Sequence, residues 1–375
     1  MLKILFPFVG DSVGGSHQSI IELQKELNKS NISSFIVVHK RGPLTLMLDD
    51  VNIKYIYFPI NKLAGESPNF FSIMHAIITN FIVINQFIKN HGITMVHGND
   101  LRVNLTWSLP TRLSKAFYLW HQRSLMSPSI FWKFSIILAD HFVTISRYVH
   151  QSLPSNISES KKTLILNPFN TEKYYEQGSS KRWLEKLYSV PKNDILFGYI
   201  GRLVDWKNVD FLIKGFAEYA KKSSLLMHLI IVGTGDSKYM STLKQLVRQL
   251  GVNNIVTFSG FNAEPNRVVS AFDLMVAPSN NEPFGRTLIE AMMQKTPVLA
   301  SRGGGHSEII NDGSTGRLYV HNNIEDFINQ CDSYLNDNKS TNEIISKANT
   351  LATLKYSSDR HSENIIKIYR QLLAV

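Results

Sequence analysis

The sequence contains very little cysteine and no recognisable export signal. Cys331 is the single cysteine in 375 residues, which excludes an internal disulfide framework and fits a reducing compartment. Residues 1–9 are apolar, but they lack the basic start, the long apolar region and the cleavage site of a secretion signal. We therefore interpret them as a first β-strand and expect a cytoplasmic protein.

The patterns of a nucleic-acid-binding protein are also absent. The formal net charge is +10, and it is spread along the chain, with +6 in residues 1–180 and +4 in residues 181–375. There is no dense basic tract, no zinc-finger spacing and no interleaving of aromatic and basic residues, so nucleic acid is not an expected partner. The basic excess does permit peripheral contact with an anionic membrane surface.

A long, purely apolar run is missing too. Residues 70–88 carry no charge, but polar side chains are spread through them, which is unlike a membrane-spanning helix. We expect a buried helix here rather than one that lies at a membrane interface. The hydrophobic content of 43%, with 19% charged residues, is typical of a folded chain, and the length predicts about two domains.

Short β-rich runs alternate with helical patterns along the sequence. A first series ends near residue 167, a polar stretch follows at 170–192, and a second series begins at 195. This alternation predicts an α/β protein with two Rossmann-like domains that face a central cleft, and ligands bound at the loops after the strands. The predicted strands lie at 3–9, 34–39, 53–58, 94–97, 116–121, 141–145, 163–166, 195–200, 227–232, 255–258, 274–277 and 297–300.

The most informative segment follows one of these strands. Glu282 directly precedes Pro-Phe-Gly, and Glu290 lies eight positions later within an apolar helical pattern. The free amides and the dipole of a helix N-terminus favour a phosphate, and carboxylates on either side could hold the flanking hydroxyl groups. This arrangement suits a sugar nucleotide. Taken alone, the first acid could be a helix cap and the second part of a solvated face.

Other strand ends carry residues suited to the same ligand. Gly14 and Gly15 follow the first strand, Arg202 and Lys207 follow the first strand of the second series, and Gly233 follows the next strand. Glycines let a ligand approach the backbone, and the two cations could converge on one anion. Tight turns and solvated loops would explain these residues as well.

Two further positions complete the set of candidates. Phe261 follows a strand whose loop amides could meet a base edge, and His121 ends a strand of the first series, although a lone histidine is more often structural. The Gly-x-Gly-x-x-Gly fingerprint is absent after the first strand, which argues against an NAD-dependent oxidoreductase.

In order and spacing, these residues resemble the retaining GT-B glycosyltransferases of family 4, or glycosyl transferases group 1. The resemblance runs through essentially the whole chain and is strongest over residues 195–310. Its motifs are Gly14-Gly15, Trp120-His121, Ser146-Arg147-Tyr148, Asn167-Pro168, Gly201-Arg202-Leu203 with Lys207, Gly233-Thr234-Gly235, Pro278-Ser279, Glu282 with Glu290, and Gly303-Gly304 with Glu308.

The resemblance implies a different role for each domain. Residues 1–170 would be a Rossmann-like acceptor-binding domain, 171–192 a linker, 193–360 a Rossmann-like nucleotide-sugar-binding domain, and 361–375 a helix that crosses back to the first domain. The reaction implied is transfer of a sugar from a UDP- or GDP-sugar to a hydroxyl of a glycan or lipid-linked acceptor, in surface polysaccharide or lipopolysaccharide synthesis. A nucleotide-sugar epimerase and a non-catalytic sugar-nucleotide-binding protein are the alternatives.

Residue roles follow from the same resemblance. Arg202 and Lys207 would bind the donor diphosphate, Glu290 the ribose and Glu282 the donor sugar, while His121 would contact that sugar near its reacting carbon. Gly15 would let its loop close over the phosphate. The remaining implied donor-binding residues are Gly14, Gly233, Phe261, Phe284, Gly285, Arg286 and Thr287.

The implied mechanism needs no cofactor. Arg202, Lys207 and the helix N-terminus near Gly285 would stabilise the charge on the departing diphosphate, and the sequence has no Asp-x-Asp to bind a metal. Retention of configuration is implied, with the acceptor attacking from the leaving-group side. Lys295, where the family usually has glycine, and His306 in the glycine-rich loop depart from the pattern and leave the donor sugar open. Phe6, His17, Arg102 and Arg123 are candidates for acceptor binding without a discriminating pattern.

Overall fold

The computed structural model describes residues 2–60, 62–65, 69–126, 135–170 and 174–374. They divide into two compact units. Unit 1 joins Met1–Phe169 to Ser358–Val375, and unit 2 is Asn170–Ser357. Each unit contains one all-parallel sheet with helices in the connections, which confirms the predicted pair of Rossmann-like α/β domains.

The sheet of unit 1 has the strand order β3-β2-β1-β4-β5-β6-β7 in the described residues. Chain order reverses between β1 and β4, and this switch point is where ligands of such sheets bind. The strands are β1 (Lys3–Phe8), β2 (Ser33–Val38), β3 (Tyr55–Tyr57), β4 (Met95–Gly98), β5 (Phe117–Gln122), β6 (His141–Thr144) and β7 (Lys162–Leu164). The helices are α1 (Gly15–Lys29), α2 (Pro43–Asp50), α3 (Phe70–Asn90), α4 (Leu101–Leu113), α5 (Arg147–Gln151) and, from the end of the chain, α14 (Ser358–Leu373).

The last helix completes the core of unit 1. Ile365, Ile368 and Tyr369 of α14 are buried in one hydrophobic cluster with Ile4 and Phe6 of β1. His361 also donates from Nδ1 to the carbonyl oxygen of Leu166, at 2.7 Å. The sheet is therefore covered on this side by residues from the two ends of the sequence.

Helix α3 has two different faces. Its inner face packs on α4 and is buried, including Ile73, Ile77 and Ile84. The opposite face is also apolar, and there Ile78 and Ile82 are 66% and 63% exposed. By length and composition α3 is the one helix in the described residues that could cross a membrane, a test that core helices of soluble proteins also pass. The expectation of a buried helix holds for one face only.

The sheet of unit 2 has the order β10-β9-β8-β11-β12-β13 in the described residues, with its switch point between β8 and β11. Its strands are β8 (Ile195–Ile200), β9 (Met227–Val232), β10 (Val256–Gly260), β11 (Leu274–Ala277), β12 (Val298–Ser301) and β13 (Arg317–Tyr319). Its helices are α6 (Gln177–Tyr188), α7 (Val209–Lys222), α8 (Ser237–Gln249), α9 (Pro265–Ser270), α10 (Arg286–Met293), α11 (His306–Ile309), α12 (Ile324–Leu335) and α13 (Asn338–Lys355).

Candidate active site

The loops after β8 and β11 carry the charged candidates of unit 2. These two strands are neighbours in the sheet, so both loops leave from its carboxyl edge at the switch point. Arg202 and Lys207 lie on the first loop, and Glu282 and Gly285 lie on the second. The pattern of buried strands followed by glycine and charge thus places these residues at the edge where ligands of parallel sheets bind.

Lys207 and Glu282 form a close ion pair. Lys207 donates from Nζ to Oε2 of Glu282 at 2.5 Å, and the side chains are only 17% and 12% exposed. The Lys207 ammonium also lies 4.3 Å from the ring centroid of Trp206, a cation–π contact. The sequence indicated Lys207 as a free cation for an anion, whereas the structure shows it already shared with a carboxylate and an aromatic ring.

The electrostatics of this pair are set by opposing effects. Burial raises the pKa of Glu282, but Lys207, His306 and a hydrogen bond from Ser279 outweigh burial, so the pKa lies below its ordinary value. His306 is buried, and its Nδ1 donates to the carbonyl oxygen of Ser301 at 3.1 Å. Burial lowers the pKa of His306 to about 4, so the site holds a carboxylate beside a neutral imidazole near pH 7.

Helix α10 begins directly behind Glu282. Gly285 precedes its first residue with a φ of +109°, a left-handed conformation that favours glycine. Arg286 and Glu290 are one turn apart on α10, with Nη2 and Oε1 3.5 Å from each other. Thr287 is half-buried in the first turn, and the buried ring of Phe284 packs against Tyr356 at 5.9 Å. The Phe284 side chain is therefore part of the core, which leaves its backbone for the predicted donor contact.

Close backbone packing explains two glycines at these loops. A Cβ on Gly233 would lie 1.9 Å from the carbonyl oxygen of Gly201, and one on Gly304 would lie 2.6 Å from that of Glu282. The glycine-rich loop is further tied down because the amide of Gly305 donates to the Glu282 carbonyl at 2.7 Å. The loops after β8 and β9, and those after β11 and β12, are thus held together in pairs by backbone contacts that a side chain would prevent.

Two candidates of unit 2 remain open to solvent. Arg202 is exposed, and its guanidinium makes no ion pair or hydrogen bond within the described part of the chain. Phe261, directly after β10, is 78% exposed. Lys295, which stands where the family usually has glycine, adopts a φ of +60°, so the backbone here has the conformation that glycine prefers.

The glycines of unit 1 form the start of α1. Gly14 is the N-cap residue and Gly15 the first helical residue of α1. The amide of Gly14 donates to Nδ1 of His17 at 3.0 Å. Arg102 is engaged in a two-pronged ion pair with Asp11, at 2.6 and 3.1 Å, which joins the loop after β1 to the start of α4 across the switch point.

His121 lies inside β5 and is 1% exposed. Its Nδ1 is 3.0 Å from Nε2 of His97 and 3.2 Å from Nη2 of Arg123. His97 in turn contacts the hydroxyl of Tyr369 at 2.6 Å, and the ring of His361 stacks over His121 at 6.3 Å. Sequence reasoning assigned no role to His97, Tyr369 or His361, because these contacts join distant parts of the chain.

The described residues contain no group of three or more His, Cys, Asp or Glu side chains arranged to hold a metal ion. The candidate residues are instead cations, hydrogen-bonding carboxylates, a helix N-terminus and an imidazole. This set can bind a diphosphate and the hydroxyl groups around it.

The comparisons with known proteins agree with that chemistry. Residues 183–350 match the family model described as Glycosyl transferases group 1. The matched region is less than half of the chain, and it contains both loops of the Lys207–Glu282 pair.

Similarity extends over the whole chain in solved structures and over about half of it in curated relatives. Anabaena HepE, solved in complex with UDP and glucose, superposes with a TM-score of 0.85 over 98% of this chain and 99% of that chain, at 21% identity. This likeness confirms the GT-B fold class. The poly(ribitol-phosphate) alpha-N-acetylglucosaminyltransferase of Staphylococcus aureus is 27% identical over 57% of this chain and 43% of that protein. The lipopolysaccharide core biosynthesis glycosyltransferase LpsE of Rhizobium meliloti is 27% identical over 47% and 48%. The chain spans about half the length of these curated relatives.

Proposed function

We propose that this protein is a retaining glycosyltransferase of family 4, a hexosyl- or related transferase of class EC 2.4. It moves a sugar from a UDP- or GDP-sugar to a hydroxyl of a glycan or lipid-linked acceptor. The observation that carries this proposal is the placement of Lys207, Glu282 and the N-terminus of α10 on the two loops at the switch point of unit 2. This is the donor-binding arrangement that the sequence resemblance implies.

The relatives support the choice of substrates. HepE was solved with UDP and glucose, which supports a nucleoside-diphosphate sugar as donor. The Staphylococcus and Rhizobium relatives are named for polymer and lipopolysaccharide synthesis, which supports surface polysaccharide or lipopolysaccharide as the product. We assign the donor to unit 2 and the acceptor to unit 1.

The mechanism follows from the charges in unit 2. Breaking the bond between sugar and diphosphate leaves negative charge on phosphate oxygens, and Arg202, Lys207 and the dipole of α10 supply fixed positive partners. Glu282 binds hydroxyls of the donor sugar, Glu290 binds the ribose, and His121 of unit 1 contacts the transferred sugar. The acceptor hydroxyl attacks from the leaving-group side, which retains the configuration. We propose that this charge set works without a metal or cofactor.

A thermal unfolding experiment tests the donor site. The melting temperature is measured with UDP, GDP, ADP and CMP for the wild-type protein, for Glu290→Ala and for Glu343→Ala, an exposed glutamate of the same unit. A ligand at about 100 times its dissociation constant adds roughly 2.7 kcal/mol of stability. We expect UDP or GDP to stabilise the wild type and Glu343→Ala but not Glu290→Ala. Absence of any shift would contradict the proposal.

We also propose that unit 1 contacts the cytoplasmic face of a membrane through α3, which suits a lipid-linked acceptor. Unit 1 contains 19 Lys and Arg residues against 11 Asp and Glu, whereas unit 2 contains 21 against 19. There is no acidic residue from position 67 to 99, a stretch that includes the exposed apolar face of α3. Apolar side chains on a basic domain match an anionic lipid surface.

A further inference from the structure

The buried histidines of unit 1 form one ordered hydrogen-bond chain. It runs from the hydroxyl of Tyr369 on α14 to Nδ1 of His97 on β4, and from Nε2 of His97 to Nδ1 of His121 on β5, over 2.6 and 3.0 Å. Arg123 reaches Nδ1 of His121 from a second direction, at 3.2 Å. The three aromatic residues are fully buried.

The partners determine which ring nitrogen carries each proton. The guanidinium of Arg123 has no acceptor, so it donates to Nδ1 of His121, and that nitrogen carries no proton. Nε2 of His97 must then be the donor toward the same atom, because two bare nitrogens cannot bond to each other. A neutral His97 therefore has an unprotonated Nδ1, and the Tyr369 hydroxyl donates to it. Burial lowers the pKa of both imidazoles well below the ordinary value, so both rings are neutral near pH 7.

Arg123 is itself held in place on three sides. Its Nε donates to Oδ1 of Asn99 at 2.8 Å and its Nη1 to Oδ1 of Asn167 at 2.6 Å. Since all three bonded guanidinium nitrogens are committed, the guanidinium cannot turn away from His121. The guanidinium of Arg123 can only donate, so it fixes the donor-to-acceptor order of the hydrogen bonds from Tyr369 to His121.

The consequence lies at the far side of the His121 ring. A neutral His121 with an unprotonated Nδ1 carries its proton on Nε2, and Nε2 is a buried atom with no hydrogen-bond partner within the described residues. A buried N–H without a partner is destabilising, because it has given up its hydrogen bond to water without replacing it. An oxygen atom of a bound substrate would relieve this cost.

We propose that Tyr369 and His97 are positioning residues that fix His121 as an Nε2–H donor toward an oxygen of the transferred sugar. The contact with sugar rests on the proposed function, whereas the order of protons does not. Neither Tyr369 nor His97 touches the substrate in this scheme. They act only by setting the tautomer and the ring orientation of His121.

The tautomers are measured directly by the imidazole 15N chemical shifts of the full-length protein labelled at histidine, from pH 6 to 8. His39 provides an internal reference for the other tautomer, in which Nδ1 carries the proton. Its Nε2 accepts from the Trp107 indole at 3.0 Å and its Nδ1 donates to the Phe58 carbonyl at 2.8 Å, so it carries its proton on Nδ1. Spectra of His121→Gln and His97→Gln assign the signals. We expect His97 and His121 to be Nε2–H and His39 to be Nδ1–H.

Steady-state kinetics distinguish a positioning role of His97 and Tyr369 from a role in packing alone. His97→Leu removes the donor to His121, and we expect kcat to fall about 10- to 100-fold, as for outer-shell partners of other functional imidazoles, with little change in the donor KM. In His97→Gln the side-chain amide can donate in place of Nε2, so activity should return to within a few-fold. Tyr369→Phe should lower kcat by about 2- to 12-fold, the value of one neutral hydrogen bond. His39→Leu replaces a buried histidine that does not belong to this chain of hydrogen bonds, and the kcat of this variant should stay unchanged.

Each outcome decides the proposal. A His121 proton on Nδ1 overturns it, and so does equal loss of kcat in His97→Leu and His97→Gln, which would indicate packing alone. Unchanged kcat in His97→Leu overturns it as well. If the wild type transfers no sugar from any donor while UDP and GDP fail to bind, the proposed function fails, and the 15N shifts still decide the proton order independently.

Discussion

The contact between Lys207 and Glu282 changes the functional interpretation of both side chains. The sequence predicts a cation for phosphate and a carboxylate for sugar hydroxyls. In the structure the two charges neutralise each other, and 75 positions of chain separate them. Burial raises the pKa of Glu282, but Lys207, together with His306 and Ser279, outweighs burial and keeps the carboxylate ionised.

Removing the lysine should reverse the pH dependence of this site. In the wild type the Glu282 pKa is lowered in the fold, so its contribution to stability is present above the unfolded value near 4.5 and is lost as the pH falls. In Lys207→Met only His306 and Ser279 still oppose burial, which is the largest single effect, so the folded pKa of Glu282 should rise and stability from this group should increase on acidification. At neutral pH the variant should lose about 3 kcal/mol, because it leaves a buried charge unpaired.

Urea unfolding at several pH values between 7.5 and 4 measures both effects. Lys214→Met is the matched control, since Lys214 pairs with Asp210 at 3.0 Å on a more exposed surface of the same unit. That variant should change stability by less than about 1 kcal/mol at any pH. Buried histidines away from the pair, such as His228, contribute a similar slope to all three proteins. A parallel pH dependence of wild type and Lys207→Met would contradict the argument.

At the scale of elements, the fully buried strands were the easiest to predict. The strands Ile195–Ile200, Met227–Val232 and Leu274–Ala277 have the predicted bounds, because each is a short apolar run between turn residues. β13 was not predicted, since Arg317-Leu318-Tyr319 is too short to show a pattern. The two faces of α3 could not be told apart either. A helix that is apolar all round gives no periodicity, and only packing shows which side is covered.

The exposed face of α3 leads to a prediction about vesicle binding. The double variant Ile78→Glu with Ile82→Glu replaces two exposed apolar side chains by charges that anionic lipid repels. We expect binding to phosphatidylglycerol vesicles in a sedimentation assay to fall at least tenfold, since burying each isoleucine is worth about 1.5–3 kcal/mol.

The control for this assay lies in the other unit. Leu226 is 73% exposed in unit 2, so Leu226→Glu makes the same kind of change on a surface that is not proposed to meet lipid. It should bind as the wild type does, and phosphatidylcholine vesicles should bind all proteins weakly. Equal losses in both variants, or wild-type binding that ignores lipid charge, would reject the role of α3.

At the scale of the whole molecule, the two units should respond separately to core mutations. Ile365 of α14 is fully buried in unit 1, and Ile344 of α13 is 3% exposed in the core of unit 2. Each change to alanine should cost about 2–5 kcal/mol. We expect Ile365→Ala to speed amide hydrogen exchange in residues 2–169 and 358–374, and Ile344→Ala to speed it in 174–357.

Mass-spectrometric mapping of exchange distinguishes these patterns, and each variant serves as the control for the other. Loss of protection throughout the chain in both variants would show that the units unfold together. The motifs of the sequence did indicate two series of strands, but α14 contacts His97 across 272 positions and Leu166 across 195. Contacts of that separation leave no local signal in composition or periodicity.

Unit 1 is built from both ends of the sequence, so it cannot be complete until synthesis of the chain is complete. A chain leaves the ribosome from its N-terminus, and domains generally fold as units. Residues 170–357 emerge as one stretch, so unit 2 can fold while β1, which is synthesised first, still lacks the helix that covers it. Tyr369 arrives among the last residues. A protein cut short by a premature stop before α14 would therefore keep its candidate donor loops. It would lack the Tyr369 hydroxyl, which is the first donor in the hydrogen bonds that lead to His121.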